Sequence, residues 1–297
     1  MTNMCMYNIK EEDAKLHISK GNNKIGKGIW SFSTLPGNDK HLLYINGKGL
    51  LTDIAGTCSK YCEGCAKDGA CYAWRDAKLH HNVVIRAWGE NTLLLRNGKV
   101  WPLLEEFFTN KNKKAREIIA TEVQTDENPW DNILKKAREA AVIKTFRINV
   151  SGEVKDGDEL IRWGRFAEAH KETQFGIYTK NYDAAIAYFT FYSMTPGGAP
   201  SNLVINISEW HGVADEHIKK LTAKFPGMFN VFEYDDHNTK DCDLPPEEIA
   251  RLDKLPHCPA VDKKGHHAKT ADGKPITCDM CKRCYRCTGA RTAVWAH

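Results

Sequence analysis

Nine of the eleven cysteines fall into two bunches, and that placement constrains what this chain can fold into more than any other feature. Cys58, Cys62, Cys65 and Cys71 form the first bunch. Cys258, Cys278, Cys281, Cys284 and Cys287 form the second, leaving Cys5 and Cys242 alone. Disulfide frameworks scatter cysteines along a chain, whereas metal sites bunch them. The compartment expected from the sequence agrees with metal. No run of about 18 apolar residues is present to span a membrane. The opening MTNMCMYNIK lacks the basic start and apolar run of a secretory signal. A cytoplasmic, reducing setting follows as the expectation, and there bunched thiols bind metal or do redox chemistry.

Hydrophobic patterning divides the chain into three parts. Residues 1–40 are polar and rich in Gly and Asn, and read as an irregular lead-in. Residues 41–254 read as an α/β metal-cluster domain. HLLYINGKGLL (41–51) has two apolar runs around Asn46-Gly47, which predicts a hairpin. The first cysteine bunch follows it directly. Helical spacing of apolar residues then predicts helices over 73–95, 101–119 and 130–141. From residue 142 the pattern alternates: strands at 142–150, 174–180, 202–208 and 229–235, with helices at 158–173, 182–191 and 214–225 between them. Strands alternating with helices predict a parallel sheet, whose chemistry gathers at the strand carboxyl ends. The fold class expected is α/β, a partial or complete parallel barrel with a helical insertion. Residues 255–297 have little apolar periodicity and read as a small cysteine-rich module stapled by metal. They hold 8 Lys+Arg against 3 Asp+Glu, so the net charge of +4 resides there. That balance suits a solvated basic face or contact with nucleic acid.

The first bunch has the spacing Cys58-x3-Cys62-x2-Cys65, with three thiolates able to hold three irons of a 4Fe–4S cluster and leave one open. Cys71 could instead close a four-thiolate site, and such a set also suits zinc. In the second bunch, Cys278-x2-Cys281-x2-Cys284-x2-Cys287 is an iron–sulfur-type run. Cys258, Cys278, Cys281 and Cys284 are the ligands expected there, with Cys287 spare and zinc the alternative metal. Ser151-Gly152-Glu153 ends one predicted strand, and Tyr178 and Lys180 end the next. The first cysteine loop, this turn and Tyr178-Thr179-Lys180 are expected to share one face.

Cys58-x3-Cys62-x2-Cys65 after a strand, with Ser151-Gly152-Glu153 after a later one, resembles the radical S-adenosylmethionine superfamily. There the Gly–Glu turn holds the amino group of the cofactor, and an electron from the cluster cleaves it. The residue before the third cysteine, usually aromatic in that superfamily, is Gly64 here. A second resemblance runs from about Ser31 to Cys287. It joins Cys-x3-Cys, Cys71-Tyr72-Ala73, INVSGE, IYTK, Cys258-Pro259 and the final C-x2-C-x2-C. This order resembles a family of uncharacterised cysteine-rich proteins carried by phages and mobile plasmids, which implies a mobile-element origin and supports both cysteine sites. Some members are labelled rolling-circle replication initiators. The His-hydrophobe-His pair such an initiator needs beside a tyrosine is missing here.

These readings lead to an iron–sulfur enzyme of the radical S-adenosylmethionine type, with an auxiliary second cluster and an electron donor protein as partner. The alternatives are a nucleic-acid-binding protein with two structural metal sites, and a non-radical iron–sulfur redox protein. No catalytic residue and no substrate can be assigned from the sequence.

Overall fold

The structure, a computed structural model, describes residues 5–21, 25–37, 40–62, 71, 73, 81–122, 130–209, 215–235, 237, 244–264 and 266–295. Two sheets organise it. The smaller has three strands: β1 (Cys5–Lys10), β4 (Lys40–Ile45) and β5 (Leu51–Ala55), in the order β1-β4-β5. β4 and β5 are the expected hairpin, with Ile45 opposite Leu51. Its turn forms because the Asn46 side chain accepts from the Lys48 and Leu50 amides, at 2.9 and 3.0 Å.

The larger sheet has seven strands in the order β10-β9-β8-β7-β6-β3-β2. Its members are β2 (Ser19–Lys20), β3 (Ile29–Ser31), β6 (Thr145–Ile148), β7 (Gln174–Thr179), β8 (Leu203–Glu209), β9 (Asn230–Asp235) and β10 (Arg291–Trp295). Every neighbouring pair from β3 to β10 is parallel, and only the edge strand β2 runs the other way. The parallel strands therefore lie side by side in chain order. Helices α5 (Gly157–Ala169), α6 (Tyr182–Ser193) and α7 (Asp215–Lys224) join β6 to β7, β7 to β8 and β8 to β9. Between β3 and β6 lie the hairpin, the first cysteine loop and, among the described residues, four helices: α1 (His81–Arg96), α2 (Val100–Lys111), α3 (Lys113–Glu122) and α4 (Trp130–Ala140). Before β10 come α8 (Pro246–Leu252) and the short helix α9 (Cys278–Cys281).

Strand residues alternate between two faces. One face carries Phe146, Ile148, Phe175, Ile177, Leu203, Ile205, Ile207 and Val231 into the main core, against Leu160 and Trp163 of α5, Tyr188 of α6 and Leu221 of α7. Aromatic rings dominate there, with Phe108 5.0 Å from Phe146 and stacked 5.7 Å from Phe175. The other face is mixed. Ile29 and Phe232 make a smaller apolar cluster with Cys284 and Tyr285, which the residues before β10 bring beneath the sheet.

Three expectations need correction. Residues 1–40 are not irregular: β1, β2 and β3 lie there, and β3 opens the parallel run. Ile29, Trp30 and Ser31 are all buried, so a strand covered on both faces shows no alternation to read. The single helix expected over 101–119 is two, because Asn112 ends α2 and is used elsewhere. Its side chain accepts from the Ile143 amide at 2.8 Å and donates to Thr173 Oγ1 at 3.1 Å, tying the starts of β6 and β7 to the helix end. Lastly, residues 255–297 supply β10 to the large sheet, paired with β9 from Arg291 to Trp295. Of the helix expected over 73–95, the structure describes Ala73 and α1.

Candidate functional site

The first cysteine loop is laced to the segment that follows β3. Thr57 donates its amide to Leu35 O, and Cys58 donates its own to Gly37 O, each at 2.9 Å. Gly37 returns an N–H to the Cys58 sulfur at 3.0 Å. Gly56 must be glycine, since a Cβ there would sit 2.1 Å from Pro36 O. Tyr61, between the cysteines, anchors the loop to α6: its hydroxyl donates to Asp183 at 3.0 Å, and its ring meets Tyr182 edge-on at 4.9 Å. Cys58 and Cys62 share a hydrogen bond. Donating to Cys62, helped by burial, pushes the Cys58 thiol well up, while accepting that bond brings the Cys62 thiol down. The Lys180 ammonium also favours the Cys62 thiolate. Cys65 lies outside the described residues. Cys71 is described, and it lines the same cavity as Cys58 and Cys62.

At the carboxyl end of β6 the chain turns sharply. Asn149 takes a left-handed φ of 52° and Gly152 one of 77°. Asn tolerates that region better than most residues, and Gly pays no Cβ penalty there. A Cβ on Gly152 would fall 2.0 Å from Thr34 Oγ1 and 2.6 Å from Thr57 Oγ1. Those two hydroxyls bond to each other at 2.8 Å, and Thr57 also accepts the Glu153 amide at 2.8 Å. The Gly–Glu turn is thereby pressed onto the chain after β3.

The Glu153 side chain is buried and turned into the protein. One oxygen accepts the Lys180 amide at 2.8 Å and the other its neighbour Val154 at 3.0 Å, so Glu153 ties the end of β6 to the end of β7. Burial raises its carboxyl, and these backbone donors oppose the rise. Two neighbours are left unanswered. Among the described residues the buried Asn149 amide, through both its N and O, and the buried Ser151 hydroxyl have no hydrogen-bond partner, and both residues line the cavity. A buried polar group without a partner is costly, and its commonest explanation is a ligand or water.

The cavity has a volume of about 170 Å³. Cys58, Cys62 and Cys71 face the Ser151-Gly152-Glu153 turn across it, with Tyr178, Lys180 and Ser208 on its wall. The predicted meeting of the first cysteine loop with the strand ends of β6 and β7 is thus present in the described residues. A second cavity of about 560 Å³ opens behind Cys58, lined by Thr57, Ser59, Arg96, Glu159 and Arg162 among others.

Tyr178 leads from the cavity to the second bunch. Its hydroxyl donates to the Cys284 sulfur at 2.5 Å. The ring lies between the Arg147 guanidinium at 4.3 Å and Phe232 at 4.9 Å. Burial holds the phenol well above its usual range. Burial likewise pushes the Cys284 thiol up to about 12, with Tyr178 opposing and Cys278 and Cys258 adding to the rise. Cys284 sits beneath the sheet because two buried asparagines grip the backbone around it. Asn206 donates to Cys284 O and Asn230 to Arg286 O, both at 3.0 Å. Gly176 makes room for Tyr285, whose ring would lie 2.7 Å from a Cβ there. Cys258 is fixed by its amide to Ala293 O at 2.8 Å. Cys287 turns elsewhere: it is exposed and donates to Gly227 O at 3.3 Å.

None of the described cysteines that carry their side chains is in a disulfide. Among the described residues no three His, Cys, Asp or Glu side chains converge tightly enough to hold a single metal ion. The donor set at the cavity is soft sulfur, the set that iron–sulfur clusters and zinc take. Lys263, Lys264, Lys269, Lys274, Arg283 and Arg286 are exposed on the segment before β10. Of Glu209-Trp210-His211, Glu209 pairs with Arg291 at 3.0 Å and the other two lie outside the described residues. No sequence pattern marks Thr34, Thr57 or Tyr61. Asn149 left one trace, an Asn at a strand end ahead of a Gly, a residue type that accepts a left-handed φ.

No helix among the described residues is long and apolar enough to cross a membrane. Residues 16–287 match the model of the family described as gene product 88. No curated protein and no solved structure matches the chain.

Proposed function

The chain belongs to the gene product 88 family, and we propose that it is an iron–sulfur enzyme of the radical S-adenosylmethionine type. One observation carries this reading. Cys58, Cys62 and the Ser151-Gly152-Glu153 turn line one cavity at the carboxyl ends of the adjacent parallel strands β3 and β6. Parallel strands in chain order, wound in one sense, put their crossover helices on one face. A partial barrel is the reading of such a sheet, with its mouth at those carboxyl ends.

Cys58 and Cys62 supply two of the three thiolates such a group takes, and Cys65 lies outside the described residues. Cys58, Cys62 and Cys65 would hold a 4Fe–4S cluster through three thiolates. When bound, the cluster supplies the electron that cleaves S-adenosylmethionine. Gly37 donates its amide to the Cys58 sulfur, and Lys180 places positive charge beside Cys62. The unpaired Asn149 amide and Ser151 hydroxyl are the groups for the polar end of the cofactor. Glu153, spent on backbone amides, holds the turn rather than the ligand. The second bunch, through Cys258, Cys278, Cys281 and Cys284, is read as an auxiliary cluster, and an electron donor protein as the partner.

Cys71 favours a second reading. It lines the cavity with Cys58 and Cys62. As a fourth thiolate it would close the centre and make the protein an electron carrier. The exposed lysines before β10 favour a third, a nucleic-acid-binding protein with structural metal sites, whose hold on DNA would fall steeply with salt.

The test uses protein purified without oxygen. Iron, sulfide and zinc are assayed, and electron-spin spectra of the reduced sample are compared with and without S-adenosylmethionine. Two clusters, one altered by the cofactor, and loss of cofactor cleavage in Cys62→Ala are the expected results. Cleavage that persists in Cys62→Ala, or zinc without sulfide, ends this reading.

A further inference from the structure

We propose that Tyr178 tunes the second centre, its hydroxyl donating to the Cys284 thiolate and holding that centre at a higher reduction potential than it would otherwise have. The inference rests on the second bunch holding an iron–sulfur cluster. It does not need the first to cleave S-adenosylmethionine.

Geometry is the ground for it. Tyr178 and Asn206 are register partners on the adjacent strands β7 and β8. Together they grip one cysteine at both ends: Tyr178 takes the Cys284 sulfur at 2.5 Å, and Asn206 takes its carbonyl at 3.0 Å. The ring packs against the Arg147 guanidinium at 4.3 Å and against Phe232 at 4.9 Å. A tyrosine hydroxyl is wasted on a neutral thiol, which is a weak acceptor. It is well used on a metal-bound thiolate, where hydrogen bonds to sulfur help set a cluster's potential. Reduction adds negative charge, which the Tyr178 hydroxyl and the nearby Arg147 guanidinium both favour. The same ring is a wall of the cavity that holds Cys58 and Cys62. The group that sets the second potential therefore touches the first site too.

The test is a redox titration of the full chain, purified without oxygen and followed by electron-spin resonance. In Tyr178→Phe the second signal should titrate at a more negative potential, with iron and sulfide unchanged. A fluorotyrosine at position 178, a stronger donor of nearly the same shape, should move it the other way. An unshifted second potential in Tyr178→Phe with iron retained overturns the proposal, as does zinc in the second site. Should Tyr178→Phe lose its second cluster, the fluorotyrosine protein decides: a positive shift supports the proposal and none overturns it. Two clusters with the expected shifts but no cofactor cleavage would sink the proposed enzyme and leave this inference standing.

Discussion

The two cysteine bunches are held in opposite ways. The first hangs on a connection between β3 and β6 and faces a cavity where the Asn149 amide and Ser151 hydroxyl have no partner. The second is threaded beneath the sheet, where Asn206 and Asn230 spend their amides on the backbone around Cys284 and Arg286. Open polar groups cost stability and are tolerated where something else answers them. Filled ones fix a segment in place. The contrast supports the proposed function, in which a ligand arrives and leaves at the first bunch and a group stays at the second.

The largest test of this contrast replaces cysteines in pairs. Cys278→Ser with Cys284→Ser removes two of the proposed ligands from a segment that supplies both the apolar cluster beneath the sheet and β10. Thermal unfolding should fall by about 10 °C or more, corresponding to several kcal/mol. Cys58→Ser with Cys62→Ser should move the midpoint by no more than about 3 °C, since that loop contributes little to the core. Equal losses from the two pairs would erase the distinction.

A smaller effect is expected at Glu159, buried and lining the second cavity with Thr57 and Cys58. Burial raises its carboxyl from 4.5 to about 7. Between those values the folded chain keeps a proton that the unfolded chain gives up. Its contribution is therefore full below the unfolded value and lost as pH rises through the folded one. The amount is at most about 3 kcal/mol. Denaturant unfolding at about pH 5 and about pH 8 should show that loss in the native protein and a flatter response in Glu159→Gln. A slope unchanged by the substitution would assign the pH dependence to other groups.

The mildest pair isolates the polar groups themselves. Asn206→Ala leaves the Ile177 and Cys284 carbonyls without their donor and should cost about 2 kcal/mol. Ser151→Ala removes a hydroxyl that bonds to none of the described residues and should change stability by less than about 0.5 kcal/mol. It should weaken S-adenosylmethionine binding, as titration calorimetry would show. A large stability loss in Ser151→Ala would mean that the hydroxyl serves the fold.

The sequence was most legible where one face of an element is polar. β6 to β9 and α5 to α7 carry alternation or helical spacing, and they stand within a few residues of expectation. β3 carries no legible pattern because Ile29, Trp30 and Ser31 are buried together, and β10 because RTAVW is short and follows a run of closely spaced cysteines. In the site, spacing marked the cysteines, and the glycine marked the Ser151-Gly152-Glu153 turn. The residues that clasp them were hidden. Thr34 and Thr57 press on Gly152 from a distant stretch of chain, and Tyr178 meets Cys284 only once the segment before β10 is beneath the sheet. Contacts of that kind exist only in the folded chain, and no local pattern announces them.

Ile29 finds its strand partner in Thr145, across the hairpin, the first cysteine loop and four helices. Closing so long a connection costs little at equilibrium, since each doubling of a loop adds only about 0.6 kcal/mol. It costs more in time, because distant pairings form slowly. Until that pairing forms, Trp30 and Phe32 have no aromatic core to enter, and the thiols of the first loop stand open to oxygen. The time the first loop spends exposed is thus written into the distance along the chain between two neighbouring strands.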